Sequence, residues 1–323
     1  MNMTEMAKDA FYNLSTKQKM DLIPEGIDQV LFGLRGSIAH GVYLPDTDPN
    51  GIDDIDLIGV FVGPVRHYIG FGVKDVHERF VEQFDMVTYE IRKFIDLVYK
   101  ANPNVLALLW NNPEHILGAT AIGQMLLDNR DMFSSKLAYN SFVGYARGQL
   151  KRMTHFNIEA QELMAALEEA VAAEGVDPVE LNATQEQRDA VGTQIDRLQD
   201  LRKKYYSGGR LGAKRRGLVN RFGYDVKNGA HMIRLLRMGV EFLDTGKLNV
   251  FRPDAAEILE IKTGQWTLEA VQAEADRLFA NAADAVMRSK LPETPDRVAV
   301  ERLCMRAILT HHNIKPEGGW LFQ

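Results

Sequence analysis

Cysteine is nearly missing from the sequence, with Cys304 as the one example among 323 residues. A single cysteine excludes an intramolecular disulfide framework and every zinc site that needs several cysteine ligands, and it is typical of a reducing compartment. Long hydrophobic runs are missing too, since none approaches the roughly 18 apolar residues of a membrane span. The N-terminal segment lacks the basic stretch and apolar core of a signal peptide. We therefore expect a cytoplasmic protein with no membrane-embedded part.

Motifs of several common enzyme folds are also missing. The sequence contains no G-x-x-x-x-G-K-[ST] phosphate-binding loop, and Gly70-Phe71-Gly72 lacks the third glycine of a dinucleotide fingerprint. No Ser or Cys lies in a nucleophile elbow. His311 and His312 have no further ligand at metal-binding spacing, so we expect a surface pair.

The length and composition are those of a globular protein with two domains. Hydrophobic residues make up 46% of the chain and charged residues 25%, values that exclude wholesale disorder and a collagen-like repeat. A chain of this length favours two cores over one. We expect the first domain to span residues 1–118 and the second to span residues 119–323.

Residues 1–118 have the pattern of a small mixed α/β domain. β-type runs at Ile27–Leu34, Asp54–Val62 and roughly 79–89 are separated by glycine-containing and polar loops. A helix with apolar residues at helical spacing starts near Ile91, and it ends at Asn102 because the residue before a proline avoids the α region. These elements predict a small sheet covered on one side.

Residues 119–323 favour helix throughout, so the fold class is α+β. An antiparallel helical hairpin is predicted at about 139–206, because amphipathic stretches flank Asp177-Pro178. Further helices are predicted to begin at residues that can accept hydrogen bonds from unpaired N–H groups; they are Asp225–Thr245, Asp254–Thr263, Thr267–Ser289 and Asp296–Thr310.

The strongest chemical signal is Gly36-Ser37 after the first strand, followed by Asp54 and Asp56 at the start of the next. Side chains two apart on a strand share a face, so the two carboxylates repel each other unless a cation lies between them. Oxygen-only ligands suit Mg²⁺ or Mn²⁺. Gly36 lets the backbone approach a ligand closely, and the Ser37 hydroxyl can hold phosphate oxygens. The combination predicts metal-dependent nucleotide chemistry.

A third carboxylate is needed if two ions are to clamp the attacking and leaving oxygens of an in-line displacement. Asp85 is the best candidate, because it lies in the next β-type run between Phe84 and Met86, where an unpaired carboxylate would be costly. A D-x-D pattern alone is more often a solvated strand edge, and Gly-Ser alone indicates little beyond a turn. Their order along the chain favours the functional interpretation.

These motifs resemble those of the DNA polymerase β superfamily of nucleotidyltransferases. More closely, the chain is similar to the RNA-repair-pathway DNA polymerase β family, predicted nucleotidyltransferases associated with RNA ligases in bacteria and phages. The resemblance covers approximately residues 28–300, and it rests on GSIAHG (36–41), DIDLIGVFV (54–62), the segment FDMVTYEIRKFIDLVYKANPNVLALL (84–109) and YDVKNGAHMIRLLRMGVEFLDTG (224–246).

The resemblance implies a polymerase β-like domain that binds ATP or another nucleoside triphosphate with Mg²⁺ or Mn²⁺, as two ions. Asp54, Asp56 and Asp85 then take the metal-ligand and catalytic roles, and Gly36 and Ser37 bind the triphosphate. The activity implied is transfer of a nucleoside monophosphate to an acceptor hydroxyl with release of pyrophosphate. The association with RNA ligases favours an RNA 3′ end as the acceptor.

The sequence departs from the family pattern in the spacer before the D-x-D, which is longer by several residues. The insert makes Asp53 an alternative first ligand. Asp54 is preferred because it shares a strand face with Asp56, whereas Asp53 does not.

A basic stripe is predicted on the helix that Asp225 opens. Lys227, His231 and Arg234 fall at i, i+4 and i+7 and so lie on one face beside the apolar positions. Such a stripe can meet a triphosphate from the side opposite the metals. Exposed basic stripes are routine on helices, and the family resemblance favours the ligand role.

Positive charge is concentrated in one window of an otherwise acidic chain. The net charge is −6, but residues 202–237 alone carry +10, which leaves −16 elsewhere. Basic side chains of this kind can bind the phosphates of a nucleic-acid backbone, and Tyr205 and Tyr206 can stack on unpaired bases. A solvated basic loop is an equally good interpretation. The candidate nucleic-acid contacts are Lys203, Lys204, Arg210, Lys214, Arg215, Arg216 and Arg221.

Two alternative functions stay open. One is transfer of a nucleotide to a protein hydroxyl, as in minimal nucleotidyltransferases that act as antitoxins. The other is a non-catalytic nucleotide-binding module, which the complete set of three carboxylates argues against. RNA binding that weakens steeply with salt would favour a nucleic-acid acceptor over a protein.

Overall fold

The structure is a computed structural model. It describes residues 3–23, 26–45, 47–51, 54–71, 74–154, 158–205 and 213–314, with the side chains of 154, 158–161, 203–205, 213, 214, 216 and 220 outside the described set. A mixed five-stranded sheet precedes a long helical region, which confirms the predicted α+β class.

Helices and strands are mixed in the first part of the chain, and the elements described after the fifth strand are helices. The strands are β1 (Asp28–Leu34), β2 (Ile55–Val62), β3 (Val76–Val81), β4 (Phe84–Glu90) and β5 (Ile116–Ala119). The helices up to β5 are α1 (Met3–Tyr12), α2 (Thr16–Leu22), α3 (Gly36–Ala39), α4 (Val65–Ile69), α5 (Ile91–Tyr99) and α6 (Pro103–Leu106). Those after it are α7 (Ala121–Asp128), α8 (Leu137–Thr154), α9 (Ile158–Ala173), α10 (Gln185–Tyr205), α11 (Ala213–Phe222), α12 (Val226–Thr245), α13 (Ala255–Lys262), α14 (Leu268–Arg288) and α15 (Arg297–His311).

The sheet has the strand order β3-β4-β2-β1-β5. β2 and β4 run parallel, and the other pairs are antiparallel. The prediction of one strand over residues 79–89 was wrong, because β3 and β4 form a hairpin there. The chain reverses at Glu82, which adopts a positive φ of 54°, and no Gly, Pro, Asn or Asp in the sequence marks that turn.

Both faces of the sheet are covered, so the expectation of a sheet covered on one side was also wrong. Ile55 and Leu57 of β2 pack on one side with Ala7 and Phe11 of α1. Ile58 and the later even-numbered residues of β2 face the large core, which continues into the helical region. The N-terminal helices supply the second layer, and the sequence patterns did not predict them.

The helical region has α12 at its centre, packed against α8, α13 and α14. The predicted starts of three helices are confirmed, since the side chains of Asp225, Thr267 and Asp296 cap α12, α14 and α15. α9 and α10 form a hairpin with an apolar core of its own. The large core draws residues from both sides of residue 118, and the division at that point stays a prediction. Within the described part of the chain, no helix is both long and apolar enough to cross a membrane.

Candidate active site

Two neighbouring parallel strands bring Asp56 and Asp85 together. The two residues are direct partners in the register of β2 and β4. They also share a face, since Asp56 alternates with Ile55 and Leu57, which point to the opposite core. Their side chains are 28% and 43% exposed, so both carboxylates reach solvent. The apolar setting expected for Asp85 from its neighbours Phe84 and Met86 is therefore not what surrounds its carboxylate.

The guanidinium of Arg35 lies between these two carboxylates. Its Nη2 atom is 3.3 Å from Asp56 Oδ1 and 3.5 Å from Asp85 Oδ2. One positive group thus contacts both acids at once, which shows that they converge enough to share a cation. The residues present therefore fit a divalent metal ion, whose oxygen ligands would be the same carboxylates.

The chain turns sharply after β1, and Gly36 makes that turn possible. Gly36 has a φ of 65°, and a Cβ atom there would collide with the carboxylate of Asp56. A side chain at this position is therefore excluded both by the backbone conformation and by the acid beside it. The next residue, Ser37, has a buried Oγ atom with no hydrogen-bond partner among the described residues. A buried hydroxyl without a partner is available to a ligand.

A pocket of about 240 Å³ opens between the sheet and α12. Gly36, Ser37 and Asp56 line it from the sheet side, and Lys227, His231 and Arg234 line it from α12. Asp85 is not in the lining, although it pairs with Asp56 through Arg35. The structure therefore brings the glycine–serine turn, one acid of the D-x-D pattern and the predicted basic stripe to a single cavity, and their roles in binding stay predictions.

Arg234 is the most unusual group in this pocket. The residue is 8% exposed, and its guanidinium forms no ion pair with a carboxylate in the described part of the chain. Its hydrogen bond runs from Nη1 to the sulfur of Met238, at 3.6 Å. Burial and the neighbouring Arg252 lower the pKa of Arg234 to about 9, while Asp254 opposes that shift. A buried cation without an anion is costly, and a bound anionic ligand would offset that cost.

Two histidines in the pocket are held in the neutral form. Burial and then the charge of Arg234 lower the pKa of His40 and the pKa of His231 well below 6.5. The Nδ1 atom of His40 is hydrogen-bonded to Val250 O at 2.8 Å, whereas Nε2 of His231 is buried without a partner among the described residues. His231 therefore offers a neutral ring nitrogen to a ligand at neutral pH, not the charged group that the stripe suggests.

Several pocket residues were not predicted from the sequence. Arg35, His40, Asn111 and Lys262 all line the cavity. Lys262 donates from Nζ to Val42 O at 2.8 Å, although it is buried and lies more than 200 positions away in the chain. The position of Arg35 next to Gly36 is the one local signal that could have identified any of them, since the others depend on tertiary packing.

The remaining predicted residues lie apart from the pocket lining. Asp54 is exposed and immediately precedes β2, and its place on the same face as Asp56 stays a prediction. Asp53 lies outside the described residues, so the choice between the two first ligands stays a prediction.

The basic residues are described only in part. Arg215 pairs with the helix cap Asp225 at 2.9 Å, and Arg221 stacks over the ring of Phe222. Four more have backbones in α10 or α11 but side chains outside the described set, namely Lys203, Lys204, Lys214 and Arg216, while Arg210 lies outside it altogether.

Comparison with known protein families gives a match over most of the chain. Residues 3–306 match the model of the RNA repair pathway DNA polymerase beta family. No curated protein and no solved structure matches the chain. The match covers nearly all of the sequence, so the chain belongs to this family, and the predicted family is confirmed.

Proposed function

We propose that this member of the RNA repair pathway DNA polymerase beta family transfers a nucleoside monophosphate from a nucleoside triphosphate to an acceptor hydroxyl, with release of pyrophosphate. The observation that carries the proposal is the pocket between the sheet and α12. Ser37 and Arg234 line the same cavity as Asp56. Among the described residues, the Ser37 hydroxyl has no hydrogen-bond partner and the buried Arg234 guanidinium contacts no carboxylate. A triphosphate has the charge and the acceptor oxygens that these groups lack.

The reaction is an in-line displacement at the α-phosphorus. The acceptor oxygen forms a bond to this phosphorus, the bond to the β-phosphate bridging oxygen breaks, and pyrophosphate departs. Mg²⁺ or Mn²⁺, held by Asp54, Asp56 and Asp85, would neutralise the developing negative charge. Arg234, Lys227 and the neutral His231 hold and orient the departing phosphates. Asp85 is the more exposed carboxylate of the bridged pair, and it accepts the proton of the acceptor hydroxyl.

The favoured acceptor is the 3′ end of an RNA. Support comes from the family description, which places these proteins in RNA repair, and from the positive charge gathered in residues 202–237. Of these residues, Arg221 is exposed and close to the start of α12. Basic side chains neutralise backbone phosphates, so RNA binding should weaken steeply as salt is raised.

Label transfer from an α-³²P nucleoside triphosphate tests the proposal. Wild-type protein with Mg²⁺ should label an RNA with a free 3′ hydroxyl and leave the same RNA with a 3′ phosphate unlabelled. Asp56→Asn should reduce the rate by about a hundredfold or more, because it removes charge at the reacting centre. Asp128→Asn, on the exposed surface of α7, is the matched control and should transfer label at the wild-type rate.

Each contrary outcome has a distinct meaning. Equal rates for wild type and Asp56→Asn would show that the carboxylate assignment is wrong. Label on a protein instead of the RNA would overturn the RNA acceptor and support the antitoxin-like alternative. Tight nucleotide binding without any transfer would support the non-catalytic module.

A further inference from the structure

A second group of ligand-type side chains lies away from the pocket. His67 of α4, Asp75 before β3 and Glu90 at the end of β4 each place one nitrogen or carboxylate oxygen within 4.8 Å of the others. His67 Nε2 is 3.0 Å from Asp75 Oδ1. Among the described residues, no other group of three or more His, Cys, Asp or Glu residues brings its ligand atoms this close together.

Glu90 provides an independent observation that points to a ligand. It is fully buried, at 0% exposure. Its Oε2 atom accepts hydrogen bonds from the N–H groups of Arg92 and Lys93 and from Arg92 Nε. The other oxygen, Oε1, is buried and has no hydrogen-bond partner among the described residues. Arg92 is thus the ion-pair partner of Oε2, and the Tyr68 hydroxyl lies near the carboxylate, so among the described residues Oε1 is the oxygen left to bind a further cation.

The position in the sheet separates this group from the candidate active site. Glu90 follows Asp85 by five residues on β4, a separation of roughly 16 Å along a strand. Because the separation is an odd number of residues, the side chain of Glu90 projects to the opposite face of the sheet. Within the group, the side chain of His67 is 1% exposed, whereas that of Asp75 is 52% exposed. A ligand could therefore reach the group from the Asp75 side without entering the pocket.

We propose that His67, Asp75 and Glu90 form a binding site for a divalent transition-metal ion, with Zn²⁺ as its best representative. The donor set is one imidazole nitrogen and two carboxylate oxygens, which zinc accepts and magnesium, with its preference for oxygen, does not favour. Tetrahedral coordination at about 2.0–2.2 Å places ligand atoms about 3.3 Å apart. The observed spacing of 3.0 Å to at most 4.8 Å is within a small side-chain adjustment of that value.

The site also has a structural consequence. It links α4 and the start of β3 to the end of β4, where the N–H of Glu90 already donates to Asp75 O at 2.8 Å. A metal ion that binds the folded state and not the unfolded state stabilises the folded state. Zinc should therefore raise the melting temperature of the protein.

Equilibrium dialysis with Zn²⁺ in saturating Mg²⁺ tests the site, after a chelator has removed bound metal. Wild type should bind one zinc ion per chain. Asp75→Asn should weaken binding at least tenfold, and it should fold because Asp75 is exposed and the amide can keep the hydrogen bond to His67. Glu78→Gln, an exposed acid on the neighbouring strand β3, is the matched control and should bind as wild type does.

Two further measurements keep the result decisive. Zinc should raise the melting temperature of wild type and of Asp85→Asn, but not that of Asp75→Asn. Cobalt bound in place of zinc should show visible absorption bands that change in His67→Gln. Zinc binding that is unaffected by Asp75→Asn, or that is lost in Asp85→Asn, would overturn the proposal, since the ion would then be bound elsewhere.

Discussion

Arg234 and Arg237 lie less than one turn apart on α12, and their surroundings are opposite in character. Arg237 contacts three carboxylates, from Asp254, Glu257 and Glu274, at 2.7 to 2.9 Å. Arg234 is more deeply buried and contacts none of the described carboxylates. An arginine that is fully paired stabilises the fold, whereas a buried arginine without an anion reduces stability and favours a ligand.

Arg234→Met should therefore weaken nucleotide binding without weakening the fold. Hydrogen bonds to a charged group contribute about 1.5–3 kcal/mol, so the Kd for a nucleoside triphosphate should rise about ten- to a hundredfold. The free energy of unfolding should stay the same or rise, because the buried charge is gone. Titration calorimetry and urea unfolding measure both quantities. Arg237→Met is the control, and it should lower the free energy of unfolding and leave the Kd unchanged. An unchanged Kd for Arg234→Met would remove Arg234 from the site.

The sequence indicated those features of the site that depend on local geometry. Gly36 was predicted to let the backbone approach a ligand closely, which stays a prediction, and the structure places the carboxylate of Asp56 against this glycine. The shared face of Asp56 and Asp85 follows from strand alternation once the strands are placed. Arg35 was not predicted as the bridge between them, because a guanidinium on a long side chain can reach many partners and local spacing does not select one.

At the scale of elements, the first two strands and several helix starts were predicted to within one residue, whereas the β3–β4 hairpin and the N-terminal helices were not predicted. A capping residue satisfies N–H groups only at its own helix start, so Asp225, Thr267 and Asp296 marked their helices locally. The β3–β4 hairpin was missed because its turn has no residue that favours positive φ. α1 was missed because its burial depends on contact with the sheet, through Ala7 and Phe11.

The α9–α10 hairpin is an element with a separate apolar core, which includes Ile195 at 0% exposure. Ile195→Ala should destabilise this hairpin by about 2–5 kcal/mol, the usual cost of such a cavity. Amide hydrogen exchange should show faster exchange in α9 and α10 and unchanged protection in α12. Ile233→Ala, in the large core, is the comparison and should weaken α12 itself. Equal loss of protection in α12 for both variants would show that the hairpin unfolds together with the rest.

At the scale of the whole molecule, the pocket lies between the sheet and α12 and gathers several cationic side chains. The sheet side contributes Asp56, which is paired with Arg35, and the α12 side contributes Lys227 and Arg234. Both His40 and His231 lie in the field of Arg234. Arg252 also faces His40, while Arg152, Lys227 and Arg215 face His231. Every one of these neighbours disfavours a further positive charge, so protonation of either histidine opposes the assembled pocket.

The free energy of unfolding should therefore fall in mild acid. The pKa of each histidine is lower in the folded state than its ordinary value of 6.5, so the unfolded chain binds more protons below that pH. Stability is then fully present above about pH 6.5 and is lost as the pH decreases, by up to about 2 kcal/mol at pH 5 for each histidine that stays neutral. Urea unfolding at pH 7 and pH 5 measures the loss. His231→Gln removes one of the two groups and should reduce the loss by the share that His231 contributes. A variant that loses as much stability as wild type between these pH values would show that His231 does not carry this proton linkage.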